Sequence, residues 1–147
     1  KKFKLQFLDV GLVQRASGLG VQLLLEQDFS KLNDGALAEQ VVGQLLLAYQ
    51  DPFMIAELFF WARDKKNSNA EVDFVINLNG KIIPIEVKSG AAGRLKSLNI
   101  FLQERDLPLG VKVSSAPLSL EKRNNKSILN IPFYLLSELD RLVQACI

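Results

Sequence analysis

Two runs of alternating apolar and polar residues, 72–78 and 81–88, flank Asn79-Gly80. Alternation with period two marks a half-buried strand, and Asn-Gly between two such runs predicts a hairpin closed by a two-residue type I′ turn. That turn sets the register. Leu78 faces Lys81, Asn77 faces Ile82, Ile76 faces Ile83, Val75 faces Pro84 and Phe74 faces Ile85. Val72, Phe74, Ile76, Ile83, Ile85 and Val87 then form an apolar core face. Asp73, Val75, Asn77, Ile82, Pro84, Glu86 and Lys88 form the other face, with its charge gathered at one end. Pro84 falls in a non-hydrogen-bonded pair, so its missing N–H costs nothing towards the first strand of the hairpin. A strand on its other side would lose a bond.

Elsewhere the pattern changes period. Ala38, Val42, Leu45, Leu46 and Tyr49 have helical spacing, so residues 36–49 read as a helix, with Asn33 or Asp34 as its cap and Asp51-Pro52 as its stop. Residues 55–63 are rich in aromatic and aliphatic side chains and read as a buried strand, with a polar loop after it. Leu95, Leu98, Phe101 and Leu102 share one face of a helix over 94–105, a strand follows at 109–114, and 121–126 reads as a charged loop. A last strand is expected over 131–136 and a helix from Ser137. Residues 1–32 read as an N-terminal extension, with a short strand over 4–9 and two short helices over 10–27. Asp9 would cap the first of these. The core order, helix, three strands, helix, strand, predicts an α/β domain with a mixed central sheet flanked by helices.

Composition narrows the chemistry. A length of 147 residues suits a single domain, and 48% hydrophobic residues suit a real core. A net charge of +2 neither requires nor excludes a nucleic-acid partner. One cysteine, Cys146, allows no internal disulfide, which fits the cytoplasm. No apolar run is long enough for a membrane span, so no membrane partner is expected. With no histidine, His-based nucleophiles, bases and metal ligands are excluded. No phosphate-binding glycine loop is present, hence no ATP site in this stretch. What remains is carboxylate, lysine and oxygen-bound metal.

Extending the register places Asp73 opposite Glu86, in a non-hydrogen-bonded pair with Cα atoms about 4.5 Å apart. Like charges so placed destabilise a sheet. A divalent cation between them is the simplest compensation. The same register sets Glu71 opposite Lys88, a possible cross-strand ion pair. Glu39 shares a helix face with Gly35, Ala36 and Gly43, small residues that would let the helix close on the sheet and bring a third acid.

A helical Glu39, then Asp73, then Glu86-Val87-Lys88 on adjacent strands, resembles the PD-(D/E)XK nuclease superfamily, and the element order resembles its αβββαβ, restriction-endonuclease-like core. A narrower resemblance covers nearly the whole chain. Phe7-Leu8-Asp9-Val10-Gly11-Leu12, Gly35-Ala36-Leu37-Ala38-Glu39, Glu71-Val72-Asp73-Phe74-Val75 and Ile85-Glu86-Val87-Lys88-Ser89-Gly90 together resemble the uncharacterised domain found C-terminal to predicted AAA-type ATPases of bacteria and archaea. This resemblance implies a C-terminal piece of a longer ATPase, whose N-terminal module would be its partner.

The resemblance further implies a metal-dependent nuclease acting on DNA. Asp73, Glu86 and Glu39, with the Val87 backbone carbonyl, would hold Mg²⁺ or Mn²⁺, and Lys88 would orient the attacking water or stabilise developing charge. Arg94 and Lys96 would touch phosphate. The rival expectation is a catalytically silent nuclease-fold module that binds nucleic acid or docks on the ATPase. Lys65-Lys66 and Lys122-Arg123 read as solvated loop charges, and Phe59, Phe60 and Trp61 as core.

Overall fold

The structure is a computed structural model that describes residues 3–16, 18, 34–65, 68–123 and 125–147. Its elements are α1 (Val10–Ala16), α2 (Asp34–Ala48), β1 (Phe59–Ala62), β2 (Glu71–Leu78), β3 (Lys81–Val87), α3 (Lys96–Glu104), β4 (Leu109–Ser114), β5 (Ser119–Arg123), β6 (Lys126–Pro132), a 3-10 helix (Phe133–Glu138) and α4 (Leu139–Gln144). From α2 to β4 the order is the expected αβββαβ. Asn33 and the predicted helical stretch over 19–27 lie outside the described residues.

The hairpin forms as its turn residues dictate. Asn79 and Gly80 have φ of 52° and 80°, the two left-handed residues a type I′ turn needs. All five expected pairs, from Leu78–Lys81 to Phe74–Ile85, are present. The strands build a six-stranded mixed sheet in the order β1-β2-β3-β4-β6-β5. The β3–β4 and β4–β6 pairs are parallel and the others antiparallel. Pairing of β3 with β4 starts at Ile85, one residue past Pro84, so the proline meets no ladder on that side.

Helices cover both faces. Val42 and Leu46 of α2, with Leu136, Leu139 and Val143, pack on Phe74, Ile83, Ile85, Val87, Val111, Val113, Leu129 and Ile131. On the opposite face Leu98, Phe101 and Leu102 of α3 pack on Val72 and Ile128, with Trp61 and Val75 at the margin. The Trp61 ring meets Phe101 edge-on at 5.0 Å, so Trp61 is core as expected.

Val72 sits on the face opposite to the one strict alternation assigns. The reason is a bulge. Phe59 pairs with Val75 and Trp61 with Val72, so Phe60 of β1 is opposed by two residues of β2, Asp73 and Phe74. A bulge adds one residue, reverses the alternation on one side of it and re-aims the side chain it carries.

Five further expectations are corrected. The segment at residues 4–9 forms no strand, because side chains of α2 take the place of a neighbouring strand. Gln40 donates to the Leu5 carbonyl at 2.7 Å and accepts the Phe7 N–H at 2.9 Å, while Gln44 donates to the Phe7 carbonyl at 3.1 Å. Gly43 serves this segment and not the sheet, since a Cβ there would collide with the Gln6 amide. The buried strand expected over 55–63 shrinks to the four residues of β1, and Ile55 is 91% exposed. Of the charged stretch expected to be a loop, Glu121, Lys122 and Arg123 belong to β5 and Lys126 opens its antiparallel partner β6, and β5 is a polar edge strand of the kind that discourages further pairing. The last strand also ends early, at Pro132, and a 3-10 helix follows. Asp9 does cap α1, accepting the Leu12 N–H at 3.2 Å.

Candidate functional site

The charged end of the hairpin is built around Asp73, and the bulge gives this residue its role. The ladder between β2 and β3 stops at Phe74–Ile85, so the predicted direct opposition of Asp73 and Glu86 is replaced by a side-chain contact. The Val87 N–H, which a continued register would pair with the strand, donates to Asp73 Oδ2 at 2.8 Å. Asp73 Oδ1 points to Lys4 Nζ at 3.2 Å. Asp73 is thus held on both oxygens and is only 9% exposed.

Lys4 was not foreseen as a site residue. Its ammonium lies 3.3 Å from Glu39 Oε2, 2.9 Å from Glu71 Oε1 and 3.2 Å from Asp73 Oδ1. It also lies 5.8 Å and 5.9 Å from the ring centres of Phe60 and Phe74, within cation–π range. Burial alone would lower the Lys4 pKa, but the three carboxylates outweigh it and hold the group above its ordinary value. The glutamine-bound segment that carries Lys4 positions it. No local sequence signal marks it, because its partners are 35 to 69 residues away.

The second half of the site is a pair on β3. Lys88 Nζ meets Glu86 Oε1 at 2.7 Å, and the expected Lys88–Glu71 pair gives way to Lys88–Glu86 and Lys4–Glu71. Glu86 is 6% exposed, and its Oε2 is buried without a hydrogen-bond partner among the described residues. Burial pushes the Glu86 carboxyl up, the Lys88 hydrogen bond pulls it down, and the Asp73 charge adds to the rise. Glu39 is raised too, first by burial and then by Asp73. Asp73 acts on both acids and so links the two halves. Gly93 completes the Lys88 setting, since a Cβ there would lie 2.8 Å from Lys88 Cδ and 2.9 Å from Cγ.

Glu39, Asp73, Glu86 and Lys88 therefore meet at one end of the sheet. Among the described residues, no three acids are poised to hold a metal ion as they stand. The donor chemistry nonetheless suits a hard cation. Three carboxylates already share one positive charge, and the buried Glu86 Oε2 has no partner among the described residues.

Arg94 and Lys96 stand apart from the acids. They line a cavity of about 440 Å³ with Lys112, Asn99 and Asn130. Lys112 is the parallel-strand neighbour of Glu86, so this hollow, lined by three cations and by Glu121, opens next to the site, and the Lys112 ammonium donates to the Ala91 carbonyl at 2.6 Å.

A family described as a domain of unknown function (DUF4143) matches residues 34–134. The chain belongs to this family. The DUF4143 domain is found at the C-terminal end of AAA-ATPase-like proteins, so the narrower of the two resemblances holds at the level of the family. The match takes in Glu39, Asp73, Glu86, Lys88, Arg94 and Lys96, whereas Lys4 lies outside it. No curated protein and no solved structure matches the chain.

Of the residues expected to be bland, Lys65 is solvated but bonds Glu104 at 3.1 Å, beside Arg63 at 2.6 Å. Lys66 lies outside the described residues. Phe59 is 58% exposed and is no core residue. Among the described residues no helix is long and apolar enough to cross a membrane.

Proposed function

We propose that this DUF4143 domain is a metal-dependent phosphodiesterase module acting on DNA, attached to an ATPase module in the same protein. The observation that carries the reading is the position of Asp73. It touches the Lys4 cluster with one oxygen and the Glu86-Val87-Lys88 backbone with the other. One acid joining a helix acid to an acid-lysine pair is what hydrolysis at a phosphodiester needs.

Asp73, Glu86, Glu39 and the Val87 carbonyl would hold Mg²⁺ or Mn²⁺ as oxygen donors. Such a cation, when bound, makes water nucleophilic at neutral pH and neutralises charge on phosphoryl oxygens. The Val87 N–H fixes Asp73 Oδ2 and leaves Oδ1 facing the Lys4 ammonium, so Oδ1 is the oxygen that would be offered to a cation. Lys88, anchored on Glu86 at 2.7 Å, offers its ammonium to charge developing on the phosphate. Arg94, Lys96 and Lys112 would follow the backbone of the nucleic acid through phosphate contacts, which implies binding that weakens as salt rises.

The test is nicking of supercoiled plasmid with Mg²⁺ or Mn²⁺, using the protein with its ATPase module. Nicking by the parent that Asp73→Ala and Lys88→Ala both abolish supports the reading. Nicking unchanged in both variants removes it.

A docking module without turnover is the second reading. It is favoured by the apolar loop between α2 and β1, where Phe53, Met54 and Ile55 are exposed beside a groove of about 770 Å³. Under that reading, replacing Phe53 and Ile55 by serine disturbs the ATPase while Asp73→Ala does not.

A further inference from the structure

We propose that Lys4 is a built-in cation that holds Glu39, Glu71 and Asp73 in place and must leave before a divalent metal can bind there. The inference rests on the metal-dependent reading above and adds an internal competitor to it.

Three observations carry it. First, a single ammonium nitrogen lies within 3.3 Å of three carboxylates from two elements, α2 and β2. That point is where electrostatic attraction for any cation is greatest, and an ammonium and a divalent ion cannot share it. Second, the Oε2 of Glu86 is buried with no hydrogen-bond partner among the described residues, although Glu86 feels both Asp73 and Lys4. Lys4 is committed to three acids and Lys88 to Oε1 of the fourth, so neither ammonium bonds this oxygen. A divalent ion with six or more oxygen ligands has room for that oxygen. Third, Lys4 belongs to a segment that is hung on α2 by glutamine side chains and not by a sheet ladder. Such a segment can shift without breaking the sheet. The displaced ammonium would stay beside the site, where phosphate is the natural partner for it.

The charges explain why an internal cation is present. Glu39, Glu71 and Asp73 together carry three negative charges and would repel one another in the metal-free fold. Lys4 offsets part of this repulsion, so the domain folds before metal arrives. The cost falls on metal affinity.

Calorimetry with Mn²⁺ on the parent, Lys4→Gln and Lys4→Met tests this without relying on turnover. The expected result is binding at least about tenfold tighter in both variants, lost when Glu39→Gln is added. A second arm uses the parent alone, so that poor folding of a variant decides nothing. Lysine labelling followed by mass spectrometry should show Lys4 more reactive at saturating Mn²⁺ than without metal. Equal Mn²⁺ affinity in parent and variants, or Lys4 labelling unchanged at saturating Mn²⁺, overturns the role of Lys4 and leaves the metal reading intact. No Mn²⁺ binding by parent or variants overturns both.

Discussion

The backbone N–H of Val87 donates to Asp73 Oδ2 at 2.8 Å, so a side chain of β2 replaces the strand carbonyl that regular pairing would have used. The bulge at Asp73 and Phe74 makes this possible, and the bond in turn stabilises the bulge. Asp73→Ala would leave a buried N–H without an acceptor, a loss of about 1–3 kcal/mol. Asp73→Asn keeps an acceptor oxygen and relieves Glu39 and Glu86 of a neighbouring charge. Urea unfolding at neutral pH should therefore show Asp73→Ala clearly destabilised and Asp73→Asn close to the parent, while both lack nicking activity.

The Glu86 carboxyl gives a pH dependence with a definite sign. Burial, aided by Asp73 and opposed by Lys88, raises its folded pKa above the ordinary value of 4.5. The fold therefore favours the protonated form. The stability from this group is fully present below the unfolded value and is lost as pH rises through the folded one. Glu86→Gln removes that loss. Thermal melts should show the variant more stable than the parent at pH 8, with the difference gone by about pH 4.

The Lys88–Glu86 pair predicts a non-additive cycle. Lys88→Ala leaves a buried carboxylate without its cation, whereas exchanging both partners for apolar residues removes the burden altogether. Lys88→Met should cost about 1–3 kcal/mol. The double variant Lys88→Met with Glu86→Leu should recover most of this. Denaturant unfolding of all four proteins checks it, and additive losses would contradict the pairing at 2.7 Å.

Gly93→Ala probes the setting of Lys88 from a distance. The new methyl would need the Lys88 stem to move, since the ideal Cβ lies 2.8 Å from its Cδ. Overpacking of this kind costs about 1–3 kcal/mol, and the Gly93 φ of 157°, which L residues rarely adopt, adds backbone strain. A fall in nicking rate of about tenfold, together with a measurable loss of stability, is the expected outcome.

Gln40→Ala tests how the Lys4 segment is held. Both functional groups of this amide are used, one on the Leu5 carbonyl and one on the Phe7 N–H. Their loss should speed hydrogen exchange at the Phe7 amide by about tenfold or more while leaving the amides of β3 unaffected.

Much of this protein was legible before its tertiary structure. Asn79-Gly80 and the alternation beside it determined the hairpin register at all five pairs, because a type I′ turn needs two left-handed residues and permits only one pairing. Helical spacing found α2 and α3, and the αβββαβ order followed from the sequence of periods. Asp73, Glu86 and Lys88 could be named because hairpin geometry carries charges along with it, and Glu39 because it shares a helix face with small residues. Edge strands were harder to see. β1 and β5 each pair with one neighbour and are partly exposed, so burial hardly shaped their composition.

Tertiary structure alone decided how the charges are shared. The bulge in β2 answers to Phe60 on the neighbouring strand, and local alternation contains no sign of it. Lys4 reaches Asp73 across 69 positions because glutamines on α2 take up the backbone of its segment. Which lysine neutralises which acid depends on distances between elements distant in sequence, and those distances exist only once the elements have packed.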